Sequence, residues 1–409
     1  MKLLLIAPTC DGEDVGEAWV AHQWAQRLAT RHDVTLLTYN KRGAKPASRQ
    51  LQGMRIVEWT EPAALGRAER FNSIIKPAYV PFYARARRWI RAAQASGELF
   101  DIAHQPVPVA MRYPSPVAGL GIPFVLGPVG GGLENPEGFS EDGGRQPWYM
   151  ALRHLDGYRR RHDPFLRSTY MSADCVLGIA GYVRDLLAHI PLRRFEIMSE
   201  TGLDRVPAPI DRSARSGPVR LLHVGRLVRT KGARDLIRAL ALAPDLPVVL
   251  DIVGDGPERG ECEALIVSLG LSDRVTIHGW RSKAEVADFY RAADIFVFPS
   301  YREPGGNVAL EAMSFSLPLI VVDRGGPGSA TSAACAVKLP VTTPQALARD
   351  VAAAIGRLVF DPGLRHRMGM AANAHVAATA LWSAKLDRMD ALYTDILESR
   401  RGALTAATA

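Results

Sequence analysis

Apolar positions in this chain fall mostly into short unbroken runs, separated by longer stretches in which they recur at helical spacing. Leu3 to Pro8 is one such run; after a loop with Gly12 and Gly16, Glu17 to Ala29 has helical periodicity and Val34 to Thr38 reads as the next strand. Strand, glycine-containing loop, helix, strand is how a doubly wound parallel sheet begins. Phe100 to His104 predicts a strand with His104 emerging into a loop, and Ile122 to Leu126 and Cys175 to Ile179 predict two more. The pattern restarts with a strand at Val219 to Val224, a loop over Gly225 to Gly232, a helix from Ala233 to Leu242 and a strand at Val248 to Val253. A Gly254-Asp-Gly-Pro257 turn and a helix to about Leu269 follow. Val275 to His278, Ile295 to Phe298 and Leu319 to Val322 supply further strands, joined by helices at 283–292 and 308–316. Ala346 to Ala380 and Ser383 to Arg400 read as helix, and Ala403 to Ala409 as a frayed end. The expected fold class is α/β, with two doubly wound parallel-sheet domains facing across a cleft.

Pro207, Pro209 and Pro218 mark a linker. The expected domains are 1–205, 219–380 and a terminal helix at 381–409 that packs back on the first domain, with 206–218 joining the halves. A chain of 409 residues, 47% hydrophobic and 22% charged, is long enough for two cores. Cys10, Cys175, Cys262 and Cys335 are too scattered for a zinc or redox motif and suit a reducing compartment. The apolar run at the start is short and followed by Asp11, Glu13 and Asp14, so it reads as a strand, not a leader. No stretch approaches the roughly 20 apolar residues that cross a bilayer. The expected location is cytoplasmic.

The formal charge of +8 fits nucleic acid, anionic membrane or phosphorylated ligands alike. Much of it lies in residues 66–91, where Arg67, Arg70, Lys76, Arg85, Arg87, Arg88 and Arg91 alternate with aromatic and aliphatic residues. Such a stretch suits peripheral contact with an anionic membrane, or a core helix with solvated arginines.

Candidate chemistry centres on Tyr301 to Met313, a loop that leaves the 295–298 strand and enters a helix. Pro304 keeps Glu303 extended, Gly305 and Gly306 admit close approach, and Asn307 is suited to cap the helix, whose free N–H groups near Val308 favour an anion. Glu311 lies about one turn further on. Two carboxylates here either offset a helix dipole or bind hydroxyls. Arg226 and Lys231 in the 225–232 loop suit a diphosphate, or are surface charge. His278 ends another strand, and Gly130 and Gly131 lie in a Gly-rich loop that is either an anion nest or a turn. There is no Gly-x-Gly-x-x-Gly, which disfavours a nicotinamide cofactor, and no Asp-x-Asp to hold a metal on a nucleotide.

The series GR…KG, GDGP, HGW, EPGGNVALEAM and DRGGPG resembles the nucleotide-sugar half of retaining glycosyltransferases of family 4, the group 1 set with the GT-B fold. DVGEAWVAHQWAQRL, DIAHQPVPV and GPVGGG resemble a bacterial subgroup of it. The resemblance implies that Glu311 binds ribose hydroxyls and Glu303 the donor-sugar hydroxyls. It implies that Arg226 and Lys231 take the diphosphate, with backbone of Gly305 to Val308 at phosphate and sugar and Gly16 near the diphosphate. His104 is the further catalytic candidate, although a second His expected two positions on is Pro106. The implied reaction moves a sugar from a nucleotide-diphosphate sugar to a sugar or lipid-linked hydroxyl in polysaccharide or glycolipid synthesis. It retains configuration and uses no metal or cofactor. An epimerase or hydrolase of similar fold, or a basic membrane- or nucleic-acid-binding module, are the competing readings.

Overall fold

The computed structural model describes residues 1–14, 16–41, 43–62, 76–139, 155–212 and 215–408. Contacts divide the chain into two units. The first comprises Met1–Gly132, Pro147–Gly202 and Trp382–Ala409, the second Leu133–Gln146 and Leu203–Leu381. The segment beginning at Leu133 thus differs from the sequence reading, which keeps it in 1–205. The cause is apolar: Phe139 packs on Tyr301 with ring centroids 4.2 Å apart and joins a core of the second unit. Within the joining stretch 206–218, Val206 packs on a core cluster and Arg212 is 7% exposed.

The first unit holds seven parallel strands in the order β3-β2-β1-β4-β5-β6-β7. They are β1 (Lys2–Ile6), β2 (Asp33–Asn40), β3 (Arg55–Thr60), β4 (Ile102–Gln105), β5 (Phe124–Val129), β6 (Cys175–Gly178) and β7 (Phe195–Ile197). Side chains alternate across β1 as strand geometry requires: Leu4 and Ile6 join Phe82 and Ile90 in one layer, Leu3 and Leu5 join Trp24 and Leu386 in the other. A sheet covered on both faces explains why its strands read as continuous apolar runs. The outermost strands, β3 and β7, are only half-buried and lack such runs.

The second unit holds β8 (Val219–Val224), β9 (Val248–Val253), β10 (Val275–Gly279), β11 (Ile295–Phe298), β12 (Leu319–Val322) and β13 (Ala336–Leu339), all parallel, in the order β10-β9-β8-β11-β12-β13. Leu221 faces a core with Leu236 and Leu347, and Leu222 faces another with Met313 and Ala372. The helical stretch expected over 346–380 is two helices, Pro344–Phe360 and Pro362–Thr379. Pro362 ends the first, and the Asp361 side chain caps the second by accepting from Leu364 N–H at 2.7 Å.

The final helix, Trp382–Thr408, takes in 403–408 of the stretch expected to fray, and Ala409 lies outside the described residues. The helix seals the first unit with Trp382, Leu386, Met389 and Tyr393. Its Lys385 is fully buried, donating to the Ser199 and Thr201 carbonyls beneath the Trp24 and Trp382 rings. Among the described residues no helix is long and apolar enough to cross a membrane.

Candidate active site

In each sheet the strand order reverses once, between β1 and β4 and between β8 and β11. Connections there run to opposite faces and leave a crevice at the strands' C-terminal ends, where open α/β sheets bind ligands. In the second unit the two flanking loops are those that carry Arg226, Lys231 and Glu303.

The loop after β8 is held on both sides. Leu227 N–H donates to the Asp255 carbonyl at 2.9 Å, and Ser300 Oγ donates to the Thr230 carbonyl at 2.9 Å. The Gly254 turn lies so close that a Cβ there would sit 1.9 Å from the Gly225 carbonyl oxygen. Between these supports Arg226 is exposed, while Lys231 is half-buried, with its ammonium 5.8 Å from the Phe298 ring centroid.

Lys231 reaches the loop after β11 and forms an ion pair with Glu303. The other carboxylate oxygen of Glu303 accepts from Gly306 N–H at 3.2 Å. Gly306, at φ 78°, ψ 36°, is the N-cap of the helix Asn307–Ser314. This corrects the expectation that Asn307 caps: the left-handed turn falls on the residue that tolerates it, and Asn307 becomes the first helical position. Gly305 and Val308 are half-buried on either side.

The 303–306 loop owes its shape to backbone contact with the segment that carries Gly325 and Gly326. Gly326 N–H donates to the Glu303 carbonyl at 2.8 Å, and a Cβ on Gly326 would lie 2.2 Å from the Gly305 oxygen.

Glu311 is half-buried one turn into that helix. Tyr290 donates its hydroxyl to Glu311 Oε2 at 3.2 Å. Desolvation raises the Glu311 pKa, against the lowering influence of Lys283 and the Tyr290 hydrogen bond. His278 is half-buried at the end of β10, its Nε2 2.7 Å from Asp251 Oδ1 and its ring 4.6 Å from Phe289. The next side chain but one, Trp280, is 73% exposed.

In the first unit, Gly16 is the exposed N-cap of the helix Glu17–Leu28, at φ 67°, with open space where a side chain would be. His104 requires correction. It does not emerge into a loop but lies inside β4 at 0% exposure, Nε2 donating to the Gly127 carbonyl at 2.7 Å and Nδ1 accepting from Tyr393 at 2.7 Å. Burial depresses its pKa to about 4, so it is a neutral core residue with both nitrogens engaged. Of the two readings of the loop at Gly130 and Gly131, the hydrogen bonds fit the turn and not the nest. The Gly130 N–H goes to the Val109 carbonyl at 2.6 Å and the Gly131 N–H to the Tyr182 hydroxyl at 3.1 Å, so both are spent within the fold.

The structure therefore unites Lys231, Glu303 and Gly306, sets Glu311 one turn away, and leaves Arg226 exposed on the same loop as Lys231. The sequence reading missed Tyr290, which looks like one more apolar position of its helix, and the steric role of Gly325 and Gly326. Among the described residues no three His, Cys, Asp or Glu side chains converge as a metal ion would require.

Residues 210–375 match the family model described as glycosyl transferases group 1. An alpha-D-kanosaminyltransferase of Streptomyces kanamyceticus is 32% identical over 245 residues, 58% of this chain and 58% of that protein. The chain spans about half the length of the curated relatives it matches. Among solved structures, the lipopolysaccharide outer core galactosyltransferase WaaB aligns with a TM-score of 0.64 at 16% identity, over 97% of this chain and 100% of that one. Anabaena Alr3699/HepE in complex with UDP aligns with a TM-score of 0.59 at 17% identity, over 99% and 100%. At such identities the likeness concerns the fold, which is GT-B: two doubly wound parallel-sheet units in one chain.

Proposed function

We propose that this chain is a glycosyltransferase that moves a sugar from a nucleotide-diphosphate sugar to an acceptor hydroxyl, with the donor held by the second unit. The observation that carries this is the meeting of Lys231, Glu303 and the Gly306 N–H where β8 and β11 part. An ammonium and a helix start already grip one carboxylate there, and the same donors suit a diphosphate.

In this reading Lys231 and Arg226 neutralise the leaving diphosphate, Glu311 accepts from the ribose hydroxyls, and Glu303 accepts from hydroxyls of the transferred sugar. When donor binds, Lys231 exchanges Glu303 for phosphate and frees that carboxylate to orient the sugar. Transfer proceeds with retention: the acceptor attacks the face that the diphosphate leaves, and a departing phosphate oxygen takes the acceptor proton. No metal is needed, because fixed cations meet the developing charge. The test is Glu303→Ala at saturating donor and acceptor, with product anomers read by NMR. Full transfer activity, or an inverted product, overturns the assignment.

The acceptor belongs to cell-surface polysaccharide or glycolipid synthesis, and contact with an anionic membrane serves it. Of residues 66–91, those at 66–75 lie outside the described residues. The helix Tyr79–Ala95 buries Phe82, Ala86 and Ile90, commits Arg87 to the Pro116 and Ala118 carbonyls, and exposes Val80, Arg85, Arg88 and Arg91. Flotation with anionic vesicles at low salt tests the contact, and binding no greater than to neutral vesicles refutes it.

A further inference from the structure

Arg212 belongs to neither loop of the candidate site, yet it is 7% exposed and donates to five backbone carbonyls. Two of them end the helix Lys283–Ala292: Tyr290 O at 3.1 Å and Ala293 O at 2.7 Å. Two follow the helix Asn307–Ser314: Phe315 O at 2.8 Å and Ser316 O at 3.0 Å. The fifth is Ile210 O at 3.4 Å. Arg215 takes the Arg291 and Ala292 carbonyls of the first helix end and shares that of Ala293 with Arg212.

A helix C-terminus carries carbonyls without intrahelical partners and the negative end of the dipole. Here two such termini share one guanidinium, whose planar fork can serve several acceptors at fixed angles, as an ammonium cannot. One helix carries Tyr290 and the other carries Glu311. Their side chains meet at 3.2 Å, and the Tyr290 and Phe315 rings stack with centroids 5.4 Å apart. Arg212 thus closes a loop of contacts: guanidinium to the Tyr290 carbonyl, phenol to the Glu311 carboxylate, and the Glu311 helix back to the guanidinium through the Phe315 carbonyl.

We propose that Arg212 is a positioning residue for nucleotide recognition, locking the ends of two helices so that the Tyr290 hydroxyl holds Glu311 in the orientation that accepts from ribose hydroxyls. The proposal rests on the ribose-binding role given to Glu311 above and goes beyond it by naming what sets the carboxylate's direction.

The experiment compares the full-length protein with Arg212→Met, Arg212→Lys, Tyr290→Phe and Glu311→Ala. Calorimetry measures the affinity of each for UDP and GDP and for their 2′-deoxy counterparts, with thermal unfolding alongside. A hydroxyl accepted by a carboxylate gives a preference for the ribonucleotide of roughly 10-fold or more. Glu311→Ala abolishes that preference. Arg212→Met and Tyr290→Phe lose most of it while binding the 2′-deoxy nucleotide as before, and Arg212→Lys falls between. If Arg212→Met does not fold, Tyr290→Phe and Arg212→Lys decide. Should they keep the full preference, or should the Arg212 variants weaken both nucleotides equally, Arg212 only stabilises the fold and the proposal is overturned. A wild-type protein without the preference, or Glu311→Ala that keeps it, overturns the ribose role itself.

Discussion

Gly326→Ala adds one methyl group to the backbone contact that shapes the 303–306 loop. The new Cβ would lie 2.2 Å from the Gly305 oxygen and 2.3 Å from its carbonyl carbon, where 3.0 Å is the shortest approach tolerated, a shortfall of about 0.8 Å. Nothing flexible is in the way, so the two backbones must part. That loosens the 2.8 Å bond from Gly326 N–H to the Glu303 carbonyl and shifts the Glu303 carboxylate by nearly 1 Å. A displacement of that size at a positioning group costs about 100-fold in rate. Overpacking costs about 1–3 kcal/mol of stability. Sugar transfer at saturating donor and acceptor, with chemical denaturation on the same samples, measures both. Gly260→Ala is the control, because it lies in the first turn of a helix with open space at its Cβ and should be no less stable than the wild type. If Gly326→Ala retains the full rate, the view that backbone contact sets Glu303 is wrong.

Lys231→Ala removes one diphosphate neutraliser and should lower kcat on the order of 100-fold. In a double-mutant cycle the added cost of Glu303→Gln should shrink in that background, and strict additivity would show the pair to be uncoupled. Glu311→Gln should raise thermal stability at pH 7 while weakening nucleotide binding. Burial raises its folded pKa, so ionisation opposes folding above that pKa, and the gain should vanish below about pH 4, where the carboxyl is protonated folded or unfolded. His104 and His223 are buried neutral, their pKa values pushed down to about 4. As pH falls from 6.5 towards 4 the unfolded chain binds protons that the folded one refuses, and each histidine should cost about 3 kcal/mol at the bottom of that window. Denaturation midpoints against pH should show the decline, and His104→Gln should flatten it; equal slopes would contradict the burial argument.

Strands buried on both faces were legible because nothing polar interrupts them, as in Ile295–Phe298 and Leu319–Val322. β3, β7 and β13 leave no such signal, since each is short or half-buried and gives no unbroken apolar run. Lys231, Glu303 and Glu311 were legible as charges at strand ends and a helix start. The burial of His104 is not legible, because a histidine after an apolar run reads as a residue leaving the sheet, and its partner Tyr393 lies 289 positions away. Arg212 was hidden for a related reason: its acceptors are carbonyls, which leave no trace in side-chain chemistry.

The last helix has a consequence for how the protein is made. Most of the second unit is one uninterrupted stretch, Leu203–Leu381, whereas the first needs Trp382–Ala409 to cover one face of its sheet. On the ribosome the unit that begins later is therefore complete sooner. The first waits with Leu3, Leu5 and Trp24 uncovered until the helix that begins at Trp382 has been made, the state in which chains recruit chaperones or aggregate. A stop codon at Trp382 would remove less than a tenth of the chain and leave the first unit without its closing layer.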